Sequence, residues 1–167
     1  MEYRLIEKQA LYDGRKVRLE LHHLEDETGV RHKREIVAHT GAVVILPLLD
    51  ARTIMLISSR RYAVEQTLLE LPAGTLEKGE DPINCAGREL LEETGYIAGR
   101  LRSLGYFFSS PGILTEKMHL YVAYDLHKGR QALEAGEEIE LRPTPLAEAV
   151  AMCGTGDIRD AKTIAAL

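Results

Sequence analysis

Between Leu71 and Gly95 the chain has little freedom in what it can form. Leu71-Pro72-Ala73-Gly74 ends a strand and opens a loop punctuated by Gly74 and Gly79. Asp81-Pro82 then has the form of an N-cap followed by proline at the first helical position, and Gly95 supplies the stop after Thr94. A helix ending at Thr94 is predicted, and Glu89, Glu92 and Glu93 fall on it at i, i+3 and i+4. That spacing puts three carboxylates on one face, within reach of a common point. Left alone they repel one another, and apart from Arg88 no basic residue lies at helical spacing to neutralise the face. A hard divalent cation takes oxygen ligands of this kind. In isolation such a run reads as a solvated acidic face; its surroundings argue for a metal site. Ile83, Gly87 and Leu90 form an apolar, small-residue strip on the other side. Glycine in mid-helix costs roughly 1 kcal/mol relative to alanine, which close packing on a sheet would justify. The glycine-punctuated loop lets the backbone turn sharply and direct a carbonyl at the acidic face, where a backbone oxygen completes a metal shell.

The rest of the chain supplies a sheet for that helix. Tyr3 to Gln9 alternates in part, Asp13-Gly14 is a turn signal, and Lys16 to Leu24 alternates Val17, Leu19 and Leu21 with polar neighbours. An antiparallel N-terminal hairpin is predicted. Arg34 to His39, the buried-type run Ala42 to Leu49, and Thr53 to Ser58 read as further strands, as do Arg100 to Phe108 and Met118 to Asp125. Pro145 to Cys153 and Asp160 to Leu167 look helical, so the expected class is an α+β layered domain with a mixed sheet. The polar stretch from Lys128 to Glu138, framed by Gly129 and Gly136, is expected to be a mobile loop. Tyr106, Phe107 and Phe108 suit either stacking on a base or the core, which so few aromatics favour, and are left without a role; His119 is expected in the core or its wall, and Cys85 and Cys153 as packing residues.

Composition narrows the partners. A chain of 167 residues, 45% hydrophobic, fits one compact domain, and a net charge of -5 argues against nucleic-acid binding. The longest apolar stretch is too short to cross a bilayer and there is no signal-peptide pattern, so no membrane partner is expected. With no C-x-x-C pair, the two cysteines fit a reducing, cytoplasmic setting. The chain lacks G-x-G-x-x-G after a strand, a P-loop, H-E-x-x-H and G-x-S-x-G, which leaves water as the nucleophile of any hydrolytic reaction.

Gly74, five residues, Glu80, seven residues, Arg88-Glu89-Leu90, one residue, Glu92-Glu93, one residue and Gly95 together resemble the complete signature of the Nudix hydrolases, over residues 74 to 96. Tyr96 departs from it, standing where the family usually has an aliphatic residue. The resemblance implies a Nudix fold, a mixed β-sheet between helices, with the signature as loop, helix and loop. It implies that Glu89, Glu92 and Glu93 bind the metal, that the Ala73 carbonyl joins them, and that Arg88 and Glu80 hold loop and helix together. Beyond the signature, Arg61-Tyr62-Ala63-Val64, Glu70-Leu71-Pro72-Ala73-Gly74 and Ser110-Pro111-Gly112 are similar to the ADP-ribose pyrophosphatase branch. Arg61, Glu70, Ser110, Pro111 and Gly112 are on that ground the substrate-binding residues expected. Ser58-Ser59 stands where relatives commonly carry arginine and glutamine. Gly156 to Thr163 resembles both ADP-ribose and GDP-mannose hydrolases and does not separate them.

The resemblance thus implies magnesium-dependent hydrolysis of ADP-ribose to AMP and ribose 5-phosphate, with manganese as a substitute ion. Magnesium on the three glutamates would neutralise the pyrophosphate and acidify a water. Glu134, Glu137 and Glu138 lie in the polar loop where the branch places its general base, and Glu137 matches best; Glu92 is the alternative on the helix. The other readings are a GDP-mannose or further nucleoside-diphosphate-sugar hydrolase, and a non-catalytic nucleotide-sensing module. The expected organisation is residues 1–40 as N-terminal strands that form a homodimer, and 41–167 as the hydrolase domain.

Overall fold

The computed structural model describes residues 2–14, 17–133 and 136–167. They divide into two compact units, one formed by residues 1–41 with 108–117, the other by 42–107 with 118–167.

The first unit is built on β1 (Tyr3–Asp13), β2 (Arg18–Asp26) and β3 (Arg31–Ala38). They form an antiparallel sheet in the order β1-β2-β3, so the expected hairpin carries a third strand. β1 is exposed along its whole length, whereas β2 buries Glu20, whose carboxylate meets Arg18 at 3.3 Å and His22 at 2.7 Å. The unit's second segment runs beside β3 through a Val37 N–H to Ile113 carbonyl bond of 2.7 Å.

In the second unit, β4 (Ala42–Pro47) is the centre. It pairs in parallel with β9 (Lys117–Lys128) and antiparallel with β7 (Ala73–Thr75), and β8 (Tyr96–Phe108) completes a mixed sheet in the order β7-β4-β9-β8. Every residue of β4 is buried. Ala42, Val44 and Leu46 face one core, with Ile54, Leu56, Leu71, Met118, Val122, Ala149 and Ile158. Val43 and Ile45 face a second, with Leu76, Cys85, Ala86, Leu90, Tyr121 and Ala123. The two-residue period of a strand makes this partition, and it explains why β4 reads as an unbroken apolar run.

Helices cover both faces. α1 (Pro82–Thr94) packs into the second core. The first is covered by a smaller antiparallel sheet, with β5 (Thr53–Arg61) between β6 (Gln66–Glu70) and β10 (Ile139–Pro145), and by α2 (Leu146–Thr155) and α3 (Ala161–Ala166). The expected α+β arrangement, a mixed sheet between helices, is what the chain adopts.

Three expectations need correction. Residues 139–144 carry no expected element and Pro145 is expected in a helix, whereas Ile139–Pro145 is the strand β10 and α2 starts at Leu146; its prolines are tolerated at the sheet's edge. The buried stripe of α1 is Cys85, Ala86, Leu90, Glu93 and Thr94, while Ile83 is exposed and a Cβ at Gly87 would meet only Leu101 Cδ1, at an ordinary 3.8 Å. Helix and sheet therefore do not need the mid-helix glycine for their approach. Of the aromatic trio, Phe107 packs on the core but Tyr106 and Phe108 are exposed. His119 lies beside Tyr106, ring centroids 6.2 Å apart.

Candidate active site and metal centre

The site is assembled where β7 passes the C-terminal half of α1. Asp81 caps the helix by accepting the Ile83 N–H at 3.1 Å, Pro82 occupies the first turn, and Gly95 ends the helix in the left-handed region at φ 71°. Helix and preceding loop are then fastened by Arg88. Its Nε and Nη2 donate to the two oxygens of Glu80, each at 3.0 Å, and Nη2 reaches the Thr75 carbonyl at 3.4 Å. The Arg88 guanidinium beside Glu80 holds that carboxyl down at about 2, against the opposing effect of burial. Cys85 lies beneath, its thiol pushed up to about 12 by burial.

The remaining Arg88 nitrogen, Nη1, bridges Glu89 at 2.7 Å and Glu92 at 3.0 Å. Glu89 nevertheless has its carboxyl raised: burial is the largest cause, Arg88 opposes it, and the charges of Glu92 and Glu137 add to it. Glu93 is 5% exposed, and its Oε2 accepts the Ala73 N–H at 2.9 Å. Burial pushes its carboxyl up to about 8; the Ala73 N–H lowers it, the charges of Glu89 and Glu137 raise it, and Arg61 lowers it. Ala73, expected to offer its carbonyl, thus meets Glu93 through its amide. Gly74 is required by proximity: a Cβ there would fall 1.8 Å from Glu89 Cδ. Glu89 and Glu93 are therefore turned inward against β7, whereas Glu92 sits nearer solvent beside Arg88.

This donor set fits a divalent cation. It consists of hard carboxylate oxygens on one helix face, and burial of Glu93 beside Glu89 raises the Glu93 carboxyl, a setting in which a cation would favour the ionised form. Among the described residues no three such groups are already gathered as a cage, and Arg88 Nη1 occupies an oxygen of Glu89 and one of Glu92.

Around the carboxylates, Glu137 is exposed, yet its charge bears on both Glu89 and Glu93. Glu138 is also exposed, and Glu134 lies outside the described residues. Arg61 and Glu70 form a two-pronged pair, Nε to Oε1 at 2.8 Å and Nη2 to Oε2 at 2.6 Å. Lys162 takes Glu70 as well, a partner the sequence did not reveal. Both Glu70 oxygens are thus engaged within the protein rather than offered to a ligand. Ser110, Pro111 and Gly112 are exposed in a turn of the first unit, where the Ser110 carbonyl accepts the Ile113 and Leu114 N–H groups at 3.1 and 2.9 Å.

The segment from Lys128 to Glu138, expected to be mobile throughout, begins as an anchored one. Gly129 N–H donates to the Gly95 carbonyl at 2.7 Å, Gln131 Nε2 to the Glu93 carbonyl at 2.7 Å, and Ala132 N–H to the Glu92 carbonyl at 3.0 Å. The last carbonyls of α1 have no partner within the helix, and this stretch supplies them. The rest of that expectation falls partly on residues outside the described ones.

A fold of this kind, with these carboxylates on the helix that follows a glycine loop, is that of the Nudix hydrolases: the NUDIX domain model matches residues 38–167, and the chain belongs to this family of pyrophosphohydrolases, which are generally dependent on a divalent metal. Over 169 aligned residues it is 36% identical to an ADP-ribose pyrophosphatase of Bacillus subtilis, covering 100% of this chain and 91% of the relative. A methanol dehydrogenase activator of Bacillus methanolicus is 39% identical, with 99% and 91% covered, and a GDP-mannose pyrophosphatase of Citrobacter koseri is 37% identical, with 81% and 75% covered. A crystal structure of an ADP compounds hydrolase superposes with a TM-score of 0.86 at 26% identity, covering 99% of this chain and 90% of that one. No helix among the described residues is long and apolar enough to cross a membrane.

Proposed function

We propose that this protein hydrolyses the pyrophosphate bond of ADP-ribose to AMP and ribose 5-phosphate, with magnesium as its ion and manganese as a substitute. The observation that carries the reading is the inward-turned pair Glu89 and Glu93, one packed where Gly74 leaves room for its carboxylate and the other buried against the Ala73 amide. Likeness to the ADP-ribose pyrophosphatase extends over the whole chain, which favours that substrate. Glu89, Glu92 and Glu93 are the proposed metal ligands, with the Ala73 carbonyl. Magnesium held there would neutralise the pyrophosphate and lower the pKa of a bound water.

The chain's own groups complete the reaction. Glu137, whose charge is already felt at Glu89 and Glu93, accepts the water's proton, with Glu134 and Glu92 as the other candidates. Arg88 holds the Glu89 and Glu92 carboxylates beside one another. Arg61 meets the anionic substrate with the edge of its guanidinium that Glu70 does not use. Ser110, Pro111 and Gly112 are proposed as substrate contacts on the resemblance alone.

A second reading, hydrolysis of GDP-mannose or another nucleoside-diphosphate sugar, is favoured by the GDP-mannose pyrophosphatase relative. A nucleotide-sensing module without activity is disfavoured because every signature carboxylate is present. We further propose a cytoplasmic homodimer: both cysteines are free, and the exposed β1 carries Tyr3, Leu5, Ile6, Leu11 and Tyr12, apolar surface suited to a second copy.

The test is a panel of ADP-ribose, GDP-mannose, other sugar nucleotides, NADH and dinucleoside polyphosphates with magnesium, identifying both products. ADP-ribose should give the highest kcat/KM, by about tenfold or more, and Glu93→Gln should lower it by about a hundredfold or more while remaining folded. Preference for GDP-mannose would overturn the substrate, and near-wild-type turnover of Glu93→Gln would overturn the metal site.

A further inference from the structure

Glu70 closes β6 and is fully buried, at 0% exposure. Removing one partner from a buried, paired charge is strongly unfavourable, so the groups around it matter. Arg61 holds it with two nitrogens from β5, and Lys162 Nζ holds it from α3, far along the chain. Lys162 also meets Asp160 Oδ1 at 2.9 Å. The other oxygen of Asp160 accepts the Thr163 amide at 3.0 Å and hydroxyl at 2.6 Å, and Thr163 Oγ1 in turn accepts the Leu71 N–H at 2.8 Å. α3 is thereby tied to the end of β6, just ahead of the loop that leads to Gly74.

The three charged side chains differ in what they show to solvent. The Arg61 side chain is 42% exposed, Lys162 is 14% and Glu70 is 1%. Arg61 is thus the member of the group open to an incoming anion, and its charge is felt at Glu93. An arginine forked onto a carboxylate of its own offers an anion little net charge. A second cation on that carboxylate changes how its charge is shared: although Asp160 balances Lys162 overall, Lys162 sits directly on Glu70 and takes up part of the charge that would otherwise fall on the guanidinium alone. Glu70 stays ionised in this setting, because burial, which raises its carboxyl, is outweighed by the hydrogen bonds and charges of Arg61 and Lys162.

We propose that Lys162 is a positioning residue for the hydrolytic site, acting through Glu70 to hold the Arg61 fork in place and to leave it the positive charge that a nucleoside-diphosphate substrate meets. The proposal rests on the reading above of Arg61 as a substrate contact.

The experiment is steady-state hydrolysis of ADP-ribose at saturating magnesium. Lys162→Met should raise KM by about tenfold with kcat within about twofold, the pattern of lost uniform binding. Lys162→Arg should recover most of the KM. Because the effect passes through Glu70, adding Lys162→Met to Glu70→Gln should change KM by less than about twofold further. An equal rise in both backgrounds would overturn the proposal, as would a fall in kcat at constant KM. Should Lys162→Met fail to fold, Lys162→Gln keeps a donor and loses only the charge, and an unchanged KM in that folded variant is equally decisive against it. If the wild type cleaves GDP-mannose and leaves ADP-ribose intact, the substrate assignment falls, and the same KM comparison made on GDP-mannose decides the role of Lys162.

Discussion

At residue 74 a single methyl group would displace one carboxylate of the site. What such a group would strike is the flexible end of Glu89 rather than backbone, so the fold can absorb Gly74→Ala by moving that carboxylate aside. The expected outcome is a protein with a nearly unchanged melting temperature that needs about tenfold more magnesium for half-maximal activity. An unchanged magnesium titration would remove Glu89 from the ligand set. Glu80 behaves differently, because its role is to fasten. Its carboxyl sits at about 2 in the folded chain against an ordinary 4.5, so folding favours the ionised form. The stability this contributes is fully present above the ordinary value and is lost as pH falls through the folded one. The melting-temperature gap between wild type and Glu80→Gln, measured at neutral pH, should therefore narrow between about pH 4.5 and pH 2. A gap that stays constant over that interval would show that Arg88 does not hold Glu80 as described.

Elements were legible in the sequence to the extent that their signals were local. α1 could be read from Asp81, Pro82 and Gly95, each of which acts within one turn, and β4 from an apolar run that records two buried faces. β10 was concealed by its own prolines, whose meaning depends on a position at the sheet edge that no local pattern states. The anchoring of Gly129 to Ala132 was concealed for another reason. Its partners are the carbonyls of Glu92, Glu93 and Gly95, and backbone carbonyls leave no trace in residue identity. The same holds for Lys162 and Glu70, which are joined only by the tertiary fold. The carboxylate helix was therefore visible in advance, but not the groups that hold its surroundings. One consequence concerns Glu137, which lies just beyond the anchored stretch and already acts on Glu89 and Glu93. Glu137→Gln should lower kcat by about a hundredfold with KM and the magnesium requirement little changed. A defect that shrinks as magnesium is raised would make Glu137 a ligand instead, and full activity would move the base to Glu134 or Glu92.

At the scale of the molecule, the chain devotes its first unit to a sheet whose outer strand has no buried residue. The apolar side chains that β1 leaves exposed make a second copy the expected cover. Sedimentation at micromolar concentration should give a dimer, and Leu5→Glu combined with Leu11→Glu should give a monomer; a wild-type monomer would leave β1 without that role. The second unit is organised by β4, whose alternate side chains belong to two different cores. Such a strand is a party wall: neither neighbour can be rebuilt without the consent of the other, because its residues have no free side on which to change. Change on this plan is thereby easiest at the rim, in loops and strand ends, while the wall and its neighbour β7, against which the carboxylates lie, stay as they are.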